Sequence, residues 1–272
     1  MAETAEDIQD VQPQQPEQAG QKRNAFSELM APKSKQSKKD DKKAETSKTK
    51  KSGGWRNALL EYIEEPEKFP TQVLRATPNT VLIKDAFPKA TIHLLLLPRS
   101  PAHYDLDPRK AFEDPTFLAV IKEEAASAAR LAAAELERQL SSISESTKAR
   151  NDAIDAGVPP DELPRGRDFL ADIRVGVHAH PSMAHLHVHI ISRDMHSDKL
   201  KHRKHYNSFN TPFFIPLDDF PLAEDDDRRV TAFQNANLGK DFVCWRCGRE
   251  FGNKFTQLKN HLELEFDLWK KQ

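Results

Sequence analysis

The stretch HPSMAHLHVHIIS, residues 180–192, places three histidines at every second position, with apolar residues between them. Successive side chains of a β-strand point to opposite faces, so this pattern predicts one imidazole face and one apolar face. The predicted imidazole face holds His185, His187 and His189. The apolar residues between them should pack on a long helix predicted over 115–142, which leaves the imidazoles on the opposite surface.

The imidazole face has three interpretations: accidental histidines on a polar surface, a metal site, or a catalytic site. Imidazole is the commonest metal ligand, but no Asp, Glu or Cys neighbours these histidines in the sequence to complete a ligand set. Phosphorus chemistry is favoured, because a neutral imidazole is a competent nucleophile near pH 7. Attack on a phosphate ester builds charge that His189 and Ser182 could stabilise by donating hydrogen bonds. We therefore predict no catalytic metal.

The sequence HLHVHII, residues 185–191, matches the motif His-φ-His-φ-His-φ-φ, in which φ is an apolar residue. On this motif the chain resembles the histidine-triad nucleotide hydrolases and transferases. The resemblance implies an α+β fold, an antiparallel sheet with packed helices, and His187 as a nucleophile that forms a nucleotidyl-histidine intermediate. The first strands of that fold bind the nucleotide, and residues 81–99, VLIKDAFPKATIHLLLLPR, resemble them. The nucleotide-binding residues that the resemblance implies are Ile83, Asp85, Phe87, His93, Ser182 and Met183.

Two further stretches narrow the resemblance. HAHPSMAHLHVHIIS and the following KHYNSFNTPFF are similar to the aprataxin branch of the family, which removes AMP from the 5′-phosphate of DNA after abortive ligation. The resemblance covers about 54–272, apart from much of 143–165. It implies that His178 protonates the departing DNA 5′-phosphate and that Lys204 stabilises the charge of the transition state. His180 occupies a position that is usually small or apolar in this branch, which leaves open its part in catalysis.

Both cysteines of the chain lie near its end, as the C-x-x-C pair Cys244 and Cys247. A two-Cys two-His zinc finger needs a second histidine three to five residues after His261, and there is none. Glu265 lies one helical turn after His261 on the same face, whereas Glu263 lies on another. We predict that these cysteines, His261 and Glu265 bind Zn²⁺ in a small ββα-like finger. Two redox-active or idle thiols are the alternative.

The resemblance also bears on the finger, because fungal-type aprataxins carry a Cys-Cys-His-Glu zinc site. With four protein ligands, such a zinc is structural. Basic and aromatic residues around the finger could neutralise phosphates and stack on bases, and a solvated charged surface is the alternative. The predicted DNA-binding residues are Trp55, Arg56, Lys204, Trp245, Arg246, Arg249, Lys254 and Lys259.

The formal net charge of the 272 residues is −1, but the charge is unevenly distributed. Residues 1–53 have the composition of a disordered tail, with Lys-rich runs over 33–43 and 48–51. We interpret the lysines as a nuclear-import signal or an arm that attracts nucleic acid; a solvated tail is the alternative. The segment NAFSELMAP, residues 24–32, is either a short docking motif or without function. No secretory signal and no membrane-spanning apolar run are present, so we predict an intracellular, nuclear protein.

The predicted organisation has four parts. They are a basic tail over 1–53, a catalytic domain over 54–218 that contains a linker or insert over 143–165, a linker over 219–239, and a zinc finger over 240–272. Inside the catalytic domain, we predict a helix over 54–63, two strands within 80–100, a strand over 173–177 that forms a hairpin with 185–192, and a loop with a short strand over 204–217.

Three functions are compatible with these features. The first is a hydrolase that removes AMP from 5′-adenylated DNA ends. The second is a small-molecule triad hydrolase of dinucleotide polyphosphates or AMP-amines, although such a substrate needs neither a finger nor a Lys-rich tail. The third is a non-catalytic DNA-end-binding protein, which the intact triad with Ser182 and Lys204 argues against. We expect a monomer that binds nicked or broken DNA, with RNA–DNA junctions left open, and that releases AMP.

Overall fold

The computed structural model describes residues 54–272, and the predictions for the tail and for 24–32 lie outside them. These residues form two antiparallel sheets and seven α-helices. The strands are β1 (Val73–Ala76), β2 (Thr80–Lys84), β3 (His93–Pro98), β4 (Ile173–His178), β5 (Val188–Ser192), β6 (Phe214–Pro216), β7 (Phe242–Val243) and β8 (Glu250–Gly252). The helices are α1 (Leu60–Glu64), α2 (Pro108–Ala111), α3 (Pro115–Leu140), α4 (Glu145–Asp155), α5 (Arg203–Asn210), α6 (Thr231–Gly239) and α7 (Phe255–Trp269).

The large sheet has six strands in the order β1-β2-β3-β5-β4-β6. All neighbouring strands are antiparallel, so the predicted α+β class is confirmed. Strand β3 is buried along its whole length, as its continuous apolar run predicts. The central position of β3 beside β5 places His93 opposite Ile191 and Leu95 opposite His189.

The long helix α3 covers one face of this sheet. It begins at the N-cap Asp114, whose side chain accepts hydrogen bonds from the backbone N–H groups of Thr116 and Phe117. Alanines dominate its interior, and they favour the helix and allow close approach to the strands. The apolar residues of the histidine segment pack in the same core as α3, as predicted; they are Leu186, Val188 and Ile190.

The histidine segment differs from the prediction in its first half. Strand β5 begins only at Val188, and it pairs with β4 as expected. Ahead of it, the N–H of Leu186 donates to the carbonyl of Tyr104 (2.7 Å) and that of Ala184 to the carbonyl of Arg56 (2.8 Å). Residues 185–187 are therefore held by neighbouring loops and lie outside the sheet ladder, although the alternation of faces is kept.

Two segments predicted as irregular are helical. The predicted loop at the start of 204–217 is helix α5, because Tyr206 and Phe209 recur at helical spacing and are both buried. The linker predicted over 219–239 contains α6, whose Gln234 is fully buried. Asn207 joins the two helices, since its Nδ2 donates to the carbonyl of Leu238 at 3.2 Å.

The insert over 143–165 contains α4, which Ser144 caps through its hydroxyl. The first turn of α4 also meets the chain end, where the N–H of Glu145 donates to the carbonyl of Lys271 (2.7 Å). Helix α7, which forms the predicted ββα finger with β7 and β8, is anchored nearby by Trp269. That side chain is 1% exposed, and its Nε1 donates to Asp172. Among the described helices, none is long and apolar enough to cross a membrane.

Candidate active site and metal centre

Four imidazoles converge on the face of the large sheet that α3 leaves uncovered. His93 lies on β3, His178 ends β4, His189 lies on β5, and His187 immediately precedes β5. The ring centroids of His178, His187 and His93 lie 4.3, 4.9 and 5.2 Å from that of His189. His93, His187 and His189 are each at most 6% exposed. Backbone pairing of three strands thus brings together residues that are distant in sequence.

The hydrogen bonds of these imidazoles indicate where their protons lie. Nδ1 of His187 is 2.8 Å from the carbonyl oxygen of His185, which can only accept, so Nδ1 carries the proton and Nε2 keeps its lone pair. The N–H of Lys89 donates to Nδ1 of His93 (3.1 Å), which leaves the proton of neutral His93 on Nε2. That Nε2 donates to Nδ1 of His189 (3.0 Å). The proton of His189 is therefore on its Nε2, which is buried and has no hydrogen-bond partner within 54–272.

Burial favours the neutral forms that this network requires. Desolvation lowers the pKa of His93 to about 4 and also lowers that of His187. The pKa of His189 lies well below its ordinary value, first through desolvation and then through the neighbouring imidazoles. Oδ2 of Asp85 lies 3.3 Å from Nδ1 of His93, but the low pKa of His93 keeps this contact from being an ion pair near neutral pH.

The predicted acid His178 stands against the other end of the cluster. Its ring packs on Phe209 (4.6 Å) and Phe213 (5.4 Å), and its Nε2 has no partner among the described residues. Desolvation, followed by the charge of His187, lowers the pKa of His178 well below its ordinary value. His180 lies 6.3 Å from Phe213 by ring centroids, and burial, followed by the charge of Arg109, lowers its pKa. These contacts favour His178 over His180 as the acid.

The other predicted catalytic residues lie on segments that adjoin these imidazoles in the chain or in the fold. His185 is buried beside Asp105, with 3.3 Å between its Nε2 and Oδ1, and its carbonyl orients His187. Ser182 is exposed on the connection that leads to His185. Lys204 is exposed in the first turn of α5, the helix that carries Phe209 onto His178.

The predicted nucleotide-binding residues offer apolar and polar surfaces. Ile83 is buried, and Met183 packs against the same apolar cluster. Oδ1 of Asp85 accepts the N–H of Phe87 (2.7 Å), which fixes the turn after β2. The Phe87 ring is 65% exposed.

Lys89 is a residue of this site that the sequence analysis missed. Its side chain is partly buried, and burial lowers its pKa. Its charge contributes to the lowered pKa of His93, His178 and His189, so it lies within electrostatic reach of three of the four imidazoles. Its place in the nucleotide-binding stretch, four residues before His93, was the available signal.

The predicted DNA-binding residues divide into two groups. Trp55 and Arg56 are exposed, and the carbonyl of Arg56 holds the loop just before His185. In the finger, Arg249 and Lys254 are exposed, and Lys259 is partly exposed.

Two of the side chains predicted to bind DNA make contacts inside the protein instead. Trp245 is partly buried and packs edge-on against Trp269 at 6.5 Å, which counts against stacking on a base. Nη1 of Arg246 pairs with Oε2 of Glu265 (2.8 Å), so this guanidinium is engaged inside the finger. Sequence position alone did not indicate either contact.

The four predicted zinc ligands form one cluster, with one ligand atom from each within 4.8 Å of every other. Nε2 of His261 lies 3.1 Å from both Sγ of Cys247 and Oε1 of Glu265. Tetrahedral zinc with roughly 2.0–2.3 Å bonds needs ligand atoms about 3.3–3.8 Å apart, so thiolates, imidazole and carboxylate fit this ion. Gly248 makes the turn after the second cysteine, at φ +74°, a conformation that favours glycine.

A second group of potential ligands lies in the imidazole cluster itself. Asp85, His93 and His189 place ligand atoms within 4.8 Å of one another. The sequence analysis found no carboxylate beside the histidines, and the structure brings one there from the end of β2. The predicted absence of a catalytic metal therefore stays a prediction.

Comparisons with known proteins agree with this geometry. The HIT domain family matches residues 67–196, and the C2HE / C2H2 / C2HC zinc-binding finger family matches 210–268, a match that begins well before the predicted finger. The aprataxin-like protein of Saccharomyces cerevisiae is 37% identical over 78% of this chain and 96% of its own. That of Schizosaccharomyces pombe is 34% identical over 79% and 83%.

The structure of an aprataxin ortholog, Hnt3, in complex with DNA superposes with a TM-score of 0.63 at 32% identity, over 79% of this chain and 96% of Hnt3. Hnt3 in complex with DNA and guanosine gives 0.62 at 31% identity over the same shares. Fold and site therefore define a histidine-triad hydrolase with a C-terminal zinc finger. Within that class the chain belongs to the aprataxin family, DNA-repair hydrolases that act on adenylated DNA.

Proposed function

We propose that this chain removes AMP from the 5′-phosphate of adenylated DNA through an adenylyl intermediate on Nε2 of His187. The observation that carries the proposal is the pair of Nε2 atoms: that of His187 keeps its lone pair, and that of His189 presents an unpartnered N–H. A nucleophile and a donor side by side suit attack at phosphorus and stabilisation of the charge that develops.

In the first step, Nε2 of His187 attacks the phosphorus of AMP. A P–N bond forms, and the P–O bond to the DNA 5′-phosphate breaks. Burial lowers the pKa of His178, and the negative charge of the bound substrate raises it again, so His178 takes up a proton from solvent when the substrate binds. The resulting imidazolium gives this proton to the departing phosphate oxygen. The N–H of His189 and the ammonium of Lys204 neutralise charge on the phosphoryl oxygens.

In the second step, water attacks the same phosphorus. The P–N bond breaks, AMP leaves, and His178, now neutral, accepts the proton of the water and returns to its starting state. The exposed ring of Phe87 suits stacking on the adenine, and the carboxylate of Asp85 suits the ribose hydroxyls. Ser182 would add a donor to the phosphate.

The finger and the short 3-10 turn Trp55–Asn57 would hold the DNA on either side of the site. Arg249 and Lys254 suit backbone phosphates, and exposed Trp55 suits the base stack at a DNA end. Support comes from the DNA complexes of Hnt3. We further infer a structural zinc in the finger, release of AMP, a monomer, and a nuclear location that matches DNA repair; RNA–DNA junctions are a further candidate substrate.

A rapid-quench reaction with a 5′-adenylated nick tests the proposal. During turnover, mass spectrometry should find an AMP adduct on the peptide that contains residues 185–192. Its amount should rise and fall before the steady state. In Lys204→Ala, where His187 is present, the adduct should form more slowly. An adduct on another histidine, or turnover in which no adduct forms at any time, would overturn the assignment of His187.

A further inference from the structure

We infer that Arg246 is the positioning residue of the zinc site, and that it makes Glu265 usable as the fourth ligand. The inference rests on the zinc proposed above. The two carboxylate oxygens of Glu265 have different partners. Oε1 lies 3.1 Å from Nε2 of His261 and faces the other ligand atoms, whereas Oε2 pairs with Nη1 of Arg246 at 2.8 Å.

This division of the carboxylate fixes its orientation. A carboxylate can rotate and can bind a metal through either oxygen or through both. Because the guanidinium of Arg246 holds Oε2, only Oε1 is directed at the ligand cluster. The side chain of Glu265 is 7% exposed and that of Arg246 25%, so water competes little for this pair. Such outer partners orient ligands and typically contribute 10- to 100-fold to metal affinity.

The charge of the ligand set gives a second, independent reason to assign this role to Arg246. A set of two thiolates, one carboxylate and one imidazole carries one more negative charge than Zn²⁺ carries positive, whereas a two-Cys two-His set is neutral with zinc. The guanidinium of Arg246 cancels the excess within a partly buried site, where an uncompensated charge is costly. Arg246 and Glu265 therefore form one functional pair in place of the second histidine of a two-Cys two-His finger.

The test measures zinc affinity in the full chain by competition with a chromogenic chelator. Arg246→Ala should bind zinc about 10- to 100-fold more weakly than the parent. Arg249→Ala is the matched control: it removes the same charge from an exposed site in the same finger, where the guanidinium lies over Phe251, and should keep the zinc affinity within about twofold.

The decisive comparison uses Glu265→His, which has no second oxygen to hold and makes the zinc-bound site neutral. In the Glu265→His background, Arg246→Ala should lower the zinc affinity no more than Arg249→Ala does. The visible spectrum of bound Co²⁺ provides a second readout, since Arg246→Ala should shift its d–d bands by altering the carboxylate, and Arg249→Ala should leave them unchanged. This readout does not need the Glu265→His variant to fold.

Equal zinc affinity and equal Co²⁺ spectra in Arg246→Ala and Arg249→Ala would overturn the inference. So would an equal loss of affinity in the parent and Glu265→His backgrounds, because Arg246 would then support the fold alone. A parent chain that binds no zinc would instead refute the proposed metal site. Turnover of adenylated DNA does not enter either result.

Discussion

His93 and His189 share a buried hydrogen bond, with 3.0 Å between Nε2 of the first and Nδ1 of the second. The bond joins neighbouring strands, and it sets the proton of His189 on Nε2, the nitrogen that we propose donates to the phosphoryl group. His93 is thus an orienting residue for the triad, in addition to its place in the nucleotide-binding stretch.

Replacing His93 by Phe should remove this orientation. His189 could then adopt either tautomer. Molecules that carry the proton on Nδ1 would lack the N–H donor at Nε2. We expect kcat to fall roughly 10- to 100-fold, the range of a lost hydrogen bond to a charged group. Single-turnover kinetics on an adenylated nick would measure it. A kcat equal to that of the parent would contradict the assigned proton positions.

Stability should depend on pH through the same buried histidine. The pKa of His93 is about 4 in the folded protein and about 6.5 in the unfolded chain, so between these values the unfolded chain binds more protons. The contribution of His93 to the free energy of unfolding is therefore fully present above about pH 6.5 and is lost as the pH falls towards 4. The loss from His93 alone is roughly 3 kcal/mol. Urea unfolding of parent and His93→Phe at several pH values tests this, and the variant should show the shallower dependence. Equal slopes would contradict it.

Lys204 and Lys201 provide a matched pair of substitutions. Both lysines are exposed and only three residues apart, but the proposed mechanism uses Lys204 alone. Lys204→Ala should lower kcat at least tenfold, because a cation next to the transferring phosphoryl group is lost. Lys201→Ala should change mainly DNA affinity at low salt. Equal effects of the two substitutions on kcat would show that Lys204 acts only as surface charge.

Cys244→Ala should disrupt the finger. Cys244 is 2% exposed and packs in a core with Phe242, Phe251 and Leu258. A structural zinc contributes folding free energy, so the variant should lose zinc, unfold at lower temperature and bind DNA more weakly. Metal analysis and a thermal melt check this. A variant with parental zinc content and DNA affinity would refute the metal site.

Short-range patterns in the sequence predicted much of this molecule. Helix and strand periodicity determines the geometry of residues that are close together in the chain. Three features were predicted in this way: the triad alternation, the strands around 80–98, and the spacing of the Cys, His and Glu ligands. The prediction of a loop at the start of 204–217 was wrong because Tyr206 and Phe209 were not recognised as one helical face, whereas the short strand predicted after it is present as β6.

The features that the sequence did not predict depend on strand pairing and tertiary packing. Nothing local indicates that Asp85 meets His93, since their approach depends on the pairing of β2 with β3. Likewise, Arg246 looks like a DNA contact until the fold places Glu265 beside it, 19 residues further along the chain. Residues 185–187 alternate like a strand but precede the sheet ladder, and the N–H of Leu186 donates to the carbonyl of Tyr104 instead of to a neighbouring strand.

The central claim is that His187 carries out the hydrolysis of a DNA adenylate. The most direct measurement is turnover of a nicked duplex with a 5′-AMP, compared with free diadenosine tetraphosphate, for the parent and His187→Ala. We predict that the parent strongly prefers the DNA and loses this preference steeply as salt rises, and that His187→Ala still binds the nick but does not turn it over. Equal or faster turnover of the free dinucleotide, or appreciable turnover by His187→Ala, would contradict it.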